Sequence, residues 1–106
     1  MNETEIRELV ERQHAYFLTG ATLPVEARIE ALKKLKACIQ EHEQEINEAL
    51  KADLGKGAFE SYMCETGLAL SELTYMIKNT PEYAKEITVR TPLAQFASRS
   101  YKKPSP

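Results

Sequence analysis

Apolar residues recur at every third or fourth position through most of this chain, and the recurrence is cut at Gly20 and again at Gly55-Lys56-Gly57. A period near 3.6 fits amphipathic helices, whereas half-buried strands would alternate. The stretch "DLGKGAFES", residues 53 to 61, nevertheless raises a question of chemistry, because a glycine–lysine–glycine run can cradle a phosphate. A phosphate loop needs a glycine five positions before the Gly–Lys pair and a Ser or Thr directly after the lysine. Those places hold Leu50 and Gly57. Such a loop also leaves a strand, whereas this one leaves a helical pattern. The run therefore reads as a helix stop and turn.

Between these breaks the pattern predicts successive helices. Ile6, Leu9, Val10 and Phe17 share one face of a first helix, opened by Asn2 and Glu5 in capping-box spacing, with Glu8 and Arg12 placed to pair. Gly20 suits the left-handed position that closes it. A second helix begins near Thr22 to Pro24, and Val25, Ile29, Leu32, Leu35 and Ile39 line its inner side; Glu30 sits four residues before Lys34. From Glu41 the composition turns acidic, which suits a new helix start. Residues 23 to 54 thus read either as two helices broken near His42 or as one kinked helix. Beyond the glycines, Phe59, Tyr62, Met63, Leu70, Leu73, Met76 and Ile77 form another stripe, with Gly67 allowing a close approach and Thr80-Pro81 stopping the helix, with room for a short helical turn to restart at "PEYAKE".

The character changes after residue 86. "ITVRTPLAQFASRSYKKPSP" holds three of the five prolines and shows only loose alternation, so it reads as extended chain or edge strand. The expected fold is mainly α, with antiparallel helical hairpins or a small bundle over residues 1–86 and an extended or short β tail over 87–106. Ile29, Leu32, Leu50, Leu70 and Leu73, at the centres of their stripes, are expected to be substantially buried.

Charge and composition exclude several classes of function. A net charge of −2 gives no electrostatic case for binding nucleic acid. No apolar run approaches the roughly 20 residues of a membrane span. The N-terminus is charged throughout, unlike a signal peptide, and two cysteines outside any dense pattern suit a reduced, cytoplasmic setting.

No constellation of catalytic residues emerges. Cys38 and His42 would share a helix face, but a structural zinc site needs four ligands, and no spacing compels His14 and Cys64 to complete it. A buried free cysteine acting as a small apolar group is the commoner arrangement. Cys64 stands beside Glu65, which disfavours a thiolate nucleophile. The lysines at 33–36 and the glutamates at 41–48 read as solvated helix faces. The expectation is that no residue here is catalytic, cofactor-binding or metal-ligating.

"YFLTGATLPVEARIEALKKLKACI", "EINEALKADLGKGAFESYMCETG" and "VRTPLAQFASRSY" resemble the N-terminal segment of aldehyde dehydrogenases, in the class 3-like branch often active on fatty and aromatic aldehydes. The resemblance runs from about Ile6 to Tyr101, and is most specific at Asp53-Leu54-Gly55-Lys56, Phe59-Glu60 and Thr91-Pro92-Leu93. It implies a parent enzyme that oxidises aldehydes to carboxylic acids with NAD(P). That enzyme's cysteine nucleophile, which forms a thiohemiacetal, its glutamate base, asparagine oxyanion donor and glycine-rich Rossmann turn all come later than this sequence reaches. The final "KKPSP" departs from the more aromatic, glycine-bearing stretch expected there.

The resemblance implies a truncated helical segment, structural rather than catalytic, with no cofactor of its own. Its partner would be the remainder of the enzyme or a second copy. The alternative is a free-standing helical module that binds other proteins through exposed apolar faces.

Overall fold

A computed structural model describes residues 1–106. Helix α1 spans Glu3–Leu18, α2 Val25–Glu41, α3 Glu43–Leu54, α4 Ala58–Ser61 and α5 Gly67–Tyr83. A π-helical turn, Tyr62–Thr66, joins α4 to α5 into one continuous body. Strands β1 (Ile87–Val89) and β2 (Ser100–Lys102) follow, with a 3-10 turn at Leu93–Gln95 between them. The mainly α fold expected from the sequence is the fold observed.

The helix boundaries follow from local chemistry. Asn2 and Glu5 form a complete capping box: the Glu5 N–H donates to Asn2 Oδ1 at 2.9 Å and the Asn2 N–H to Glu5 Oε2 at 2.7 Å. This satisfies two N–H groups that a helix start would leave unpaired. The ion pair on α1 is Glu3–Arg7 at 3.3 Å, in place of the expected Glu8–Arg12, and Glu30 meets Lys33 at 3.8 Å instead of Lys34. Gly20 and Gly55 both take positive φ, at 78° and 68°, and each turns the chain out of a helix. Between α2 and α3, His42 has φ −102° and ψ 16°, so residues 25–54 form two helices hinged at one residue.

Two expectations fail along α4 and α5. The π turn closes with the Gly67 N–H donating to the Tyr62 carbonyl, five residues back. One extra residue per turn shifts the face that later residues present, so a stripe drawn at constant period across residues 59–77 loses its phase. Phe59, Tyr62 and Met63 lie 80%, 51% and 56% exposed, while the hydroxyl residues Ser61 and Thr66 are buried. Nor does Thr80-Pro81 stop the helix, which runs on to Tyr83. Pro81 has no N–H to give the Ile77 carbonyl, and the helix ends two residues later. The Thr80 Oγ1 donates to the Met76 carbonyl at 2.5 Å, giving a carbonyl of that turn an extra donor.

The tail folds back on itself. β1 and β2 pair antiparallel with Ile87 opposite Lys102, Thr88 opposite Tyr101 and Val89 opposite Ser100. Thr91 Oγ1 donates to Ser100 Oγ at 3.1 Å, and Glu86 meets both Arg99 (3.3 Å) and Lys103 (3.8 Å) across the hairpin.

The main packing contact is α2 against α5. Ile29, Leu32, Leu50, Leu70 and Leu73 are all only half-buried, short of the substantial burial expected, and Leu35 on α2 and Ile6, Val10 and Phe17 on α1, assigned to inner faces, are exposed. The fully buried residues are Ser61, Thr66 and Thr80, and none is apolar. The chain exposes 8709 Å², where a compact protein of its mass would expose about 6,000 Å². Its radius of gyration is 19.9 Å, against about 13 Å for a compact chain of this length. The helices are well formed, but they enclose no core of their own.

Candidate functional site

Lys56, the lysine of the glycine–lysine–glycine run, is committed to an ion pair. Its Nζ donates to Glu65 Oε1 at 2.5 Å, across nine residues, tying the turn after α3 to the π turn. The hydrogen bond to Glu65 raises the Lys56 pKa above its ordinary value, against an opposing effect of burial. Gly55 supplies the left-handed cap of α3, and Gly57 precedes α4 in extended conformation. The run is a helix stop with a latch.

The broadest apolar concavity holds about 570 Å³ and lies between the end of α1, the middle of α2 and the end of α5. Tyr16, Ala27, Leu32, Leu35 and Met76 line it, with Thr80 beneath. At its rim, Arg28 donates from Nε to the Thr22 carbonyl (2.8 Å) and from Nη2 to the Leu23 carbonyl (2.9 Å), clasping the α1–α2 loop onto α2. Those bonds engage the guanidinium, and the lining side chains include no carboxylate, imidazole, amine or thiol. Such a surface can receive apolar side chains.

The other candidates are scattered. Cys38 and Cys64 are both exposed, contrary to the expectation of a buried thiol; Cys38 lies near the end of α2 and Cys64 in the π turn. Cys38 Sγ lies 3.8 Å from His42 Nδ1, while His14 on α1 and Cys64 stand apart; no three His, Cys, Asp or Glu side chains converge.

The residues present do not fit a dinucleotide. The only strands are three residues each, pair antiparallel, and neither leads into a glycine-rich turn and helix, the unit that cradles a pyrophosphate. No helix is long and apolar enough to cross a membrane.

Sequence reasoning missed the π turn and the phenol pair Tyr75–Tyr83, whose hydroxyls meet at 2.9 Å. The spacing of small hydroxyl residues at Ser61 and Thr66, five apart, was the available signal for the first.

Comparison with known proteins gives a uniform answer. The Aldehyde dehydrogenase family matches residues 1–105. A dimeric NADP-preferring aldehyde dehydrogenase of Canis lupus familiaris is 41% identical over 93 residues, which cover 87% of this chain and 20% of that protein. Aldehyde dehydrogenase family 3 member A2 of Macaca fascicularis is 32% identical over 97 residues, 92% of this chain and 20% of its own length. The solved structure of a Staphylococcus aureus aldehyde dehydrogenase, AldH, in a substrate-bound state superposes with a TM-score of 0.84 at 37% identity, covering 97% of this chain and 22% of that one. The chain thus spans about a fifth of the length of the curated relatives it matches.

Proposed function

This chain belongs to the aldehyde dehydrogenase family, as an N-terminal, class 3-like segment of it, and from that premise we propose that its role is packing within a larger NAD(P)-dependent enzyme, with none of the catalysis carried by its own residues. The parent reaction on this reading is oxidation of an aldehyde to a carboxylic acid. NAD(P) would accept the hydride in that reaction, held by other parts of the enzyme. Residues 1–86 act as the helical body and 87–106 as the passage into the cofactor-binding part, in a cytoplasmic setting.

The observation that carries this reading is the mismatch between good helices and absent core. About 2,700 Å² more surface is exposed than a compact chain of this mass would leave, a surplus larger than the total area of a standard protein–protein interface. Half-buried Leu32 and Met76 beside an open apolar concavity suit a second body packed across α2 and α5. That body is the remainder of the enzyme or another copy of the chain.

Calorimetric titration with NAD+, together with an aldehyde-dependent absorbance assay on the purified chain, tests the proposal. No saturable binding and no turnover is the expected result. Micromolar binding, or turnover lost on substituting Cys38 or Cys64, would overturn it.

A further inference from the structure

The net charge of −2 conceals a division within the chain. Residues 1–86 carry ten cationic and sixteen acidic side chains, a charge of −6, whereas residues 87–106 carry four cationic and none acidic, a charge of +4. That basic segment holds the β1–β2 hairpin, whose strands pack on each other and not broadly on any helix. Its cations are thinly neutralised. Arg99 and Lys103 share one carboxylate, that of Glu86, while Arg90 and Lys102 pair with none.

The tip of the same hairpin is apolar. Its 3-10 turn closes with the Gln95 N–H donating to the Pro92 carbonyl at 2.9 Å, and Phe96 continues the turn with φ −57° and ψ −23°. Residues three apart eclipse in such a turn, so Leu93 and Phe96 emerge on one side of it. They stand 89% and 85% exposed. Directly behind them, continuing the strand register by one residue sets Arg90 opposite Arg99, which also leans over the Tyr101 ring at 5.5 Å. Like charges placed opposite one another repel, and an anion laid against the pair relieves that repulsion.

We propose that the hairpin docks on an anionic lipid surface, with Leu93 and Phe96 entering the interface and Arg90 and Arg99 meeting the charged head groups. Such docking takes its strength from buried apolar area together with attraction to anionic lipid, and the hairpin supplies both at one end. Lys102 and Lys103, farther along β2, add attraction that fades within about 8–10 Å of the surface at ordinary salt. The acidic helical body is repelled by the same surface, so the chain stands with its hairpin toward the lipid and its helices away. The tip is convex and surrounded by solvent, which suits insertion between lipids and offers no groove for an acidic peptide. This docking is separate from the packing role proposed above, which uses the face shared by α2 and α5.

Sedimentation of the whole chain with phosphatidylcholine vesicles, with and without phosphatidylserine, tests the assignment. Binding is expected only where phosphatidylserine is present, and it should weaken as salt is added. Arg90→Gln and Arg99→Gln should each lower the partition coefficient about fivefold. Leu93→Ser with Phe96→Ser should abolish binding, whereas Leu35→Ser, in the α2–α5 concavity, should leave it unchanged. The chain holds no tryptophan, so Phe96→Trp reports insertion directly: its emission should shift to the blue on phosphatidylserine vesicles. Circular dichroism and amide exchange over residues 87–102 verify that each variant keeps its helices and hairpin. Equal binding to pure phosphatidylcholine, no binding to either vesicle, or an unshifted Phe96→Trp emission would overturn the proposal. So would loss of binding in Leu35→Ser, or capture by polyglutamate in preference to the vesicles, which would reassign the basic face to an acidic protein.

Discussion

Lys56 reaches across nine residues to Glu65, and this one contact joins the glycine turn that ends α3 to the π turn that precedes α5. Because the partner carboxylate raises the Lys56 pKa in the fold, the pair stabilises the folded state fully below the ordinary lysine value of 10.5. That contribution is lost as pH rises through the higher folded value. Lys56→Met should therefore lower the melting temperature at neutral pH, with the two melting curves converging in strong alkali. The difference should also shrink as salt is added, since both groups are partly solvated. Equal melting temperatures at neutral pH and low salt would show that the latch contributes nothing.

The Tyr83 hydroxyl donates to that of Tyr75 at 2.9 Å, and this bond, with burial and the nearby charges of Tyr75 and Glu72 behind it, raises the Tyr83 pKa above 10.0. Ionising Tyr83 destroys the bond, so its stabilising effect is present below pH 10.0 and disappears as pH rises through the folded value. Spectrophotometric titration of tyrosinate should find a phenol ionising late, and Tyr75→Phe should bring it back toward the ordinary value. An unchanged titration curve in the variant would place the cause elsewhere.

Two glycines separate backbone strain from crowding. At Gly55, φ is 68° and an added methyl would meet nothing within 4 Å, so Gly55→Ala should cost only the left-handed penalty, about 1–2 kcal/mol. At Gly67, φ is an ordinary −64°, but an added Cβ would collide with the Tyr62 carbonyl oxygen, which accepts the π-turn bond. Backbone cannot swing aside as a side chain can, so Gly67→Ala should cost about 1–3 kcal/mol, as overpacking does, and should perturb the π turn. Urea melts and amide exchange at residues 62–67 measure both. A neutral Gly67→Ala would show that the π turn relaxes freely.

The same pair of glycines marks what the sequence could reveal. Signals that act within a few residues were legible: the Asn2–Glu5 box and the glycine stops at Gly20 and Gly55 all formed as read. The hinge at His42 was legible only as a choice, because the acidic start of α3 and the unbroken apolar stripe point in opposite directions. The π turn was hidden because periodicity analysis assumes a constant turn, and one wide turn leaves Phe59, Tyr62 and Met63 out of phase with the Leu70–Leu73 face that follows. Burial was overstated for Leu50 and Leu70 for another reason: a stripe identifies the face that seeks cover without revealing whether this chain supplies the cover. The proximity of Cys38 and His42 was visible in their spacing, but the exposure of the thiol was not.

Half-burial sets the size of core effects. Leu32 lies on the α2–α5 contact beside the open concavity. A fully buried leucine cut to alanine costs about 2–5 kcal/mol, so Leu32→Ala in this chain should cost about half that, roughly 1–2 kcal/mol. Chemical denaturation of the variant checks the figure. A full-sized loss would mean that the isolated chain already covers this face, by association or by rearrangement.

The central claim is that these helices are built to be covered, and sedimentation velocity over a concentration series tests it most directly. With Leu93 and Phe96 at 89% and 85% exposed and the α2–α5 concavity open, the purified chain should sediment as associating species whose mean mass rises with concentration. A single 12.0 kDa species at every concentration would contradict the account and favour a self-sufficient module.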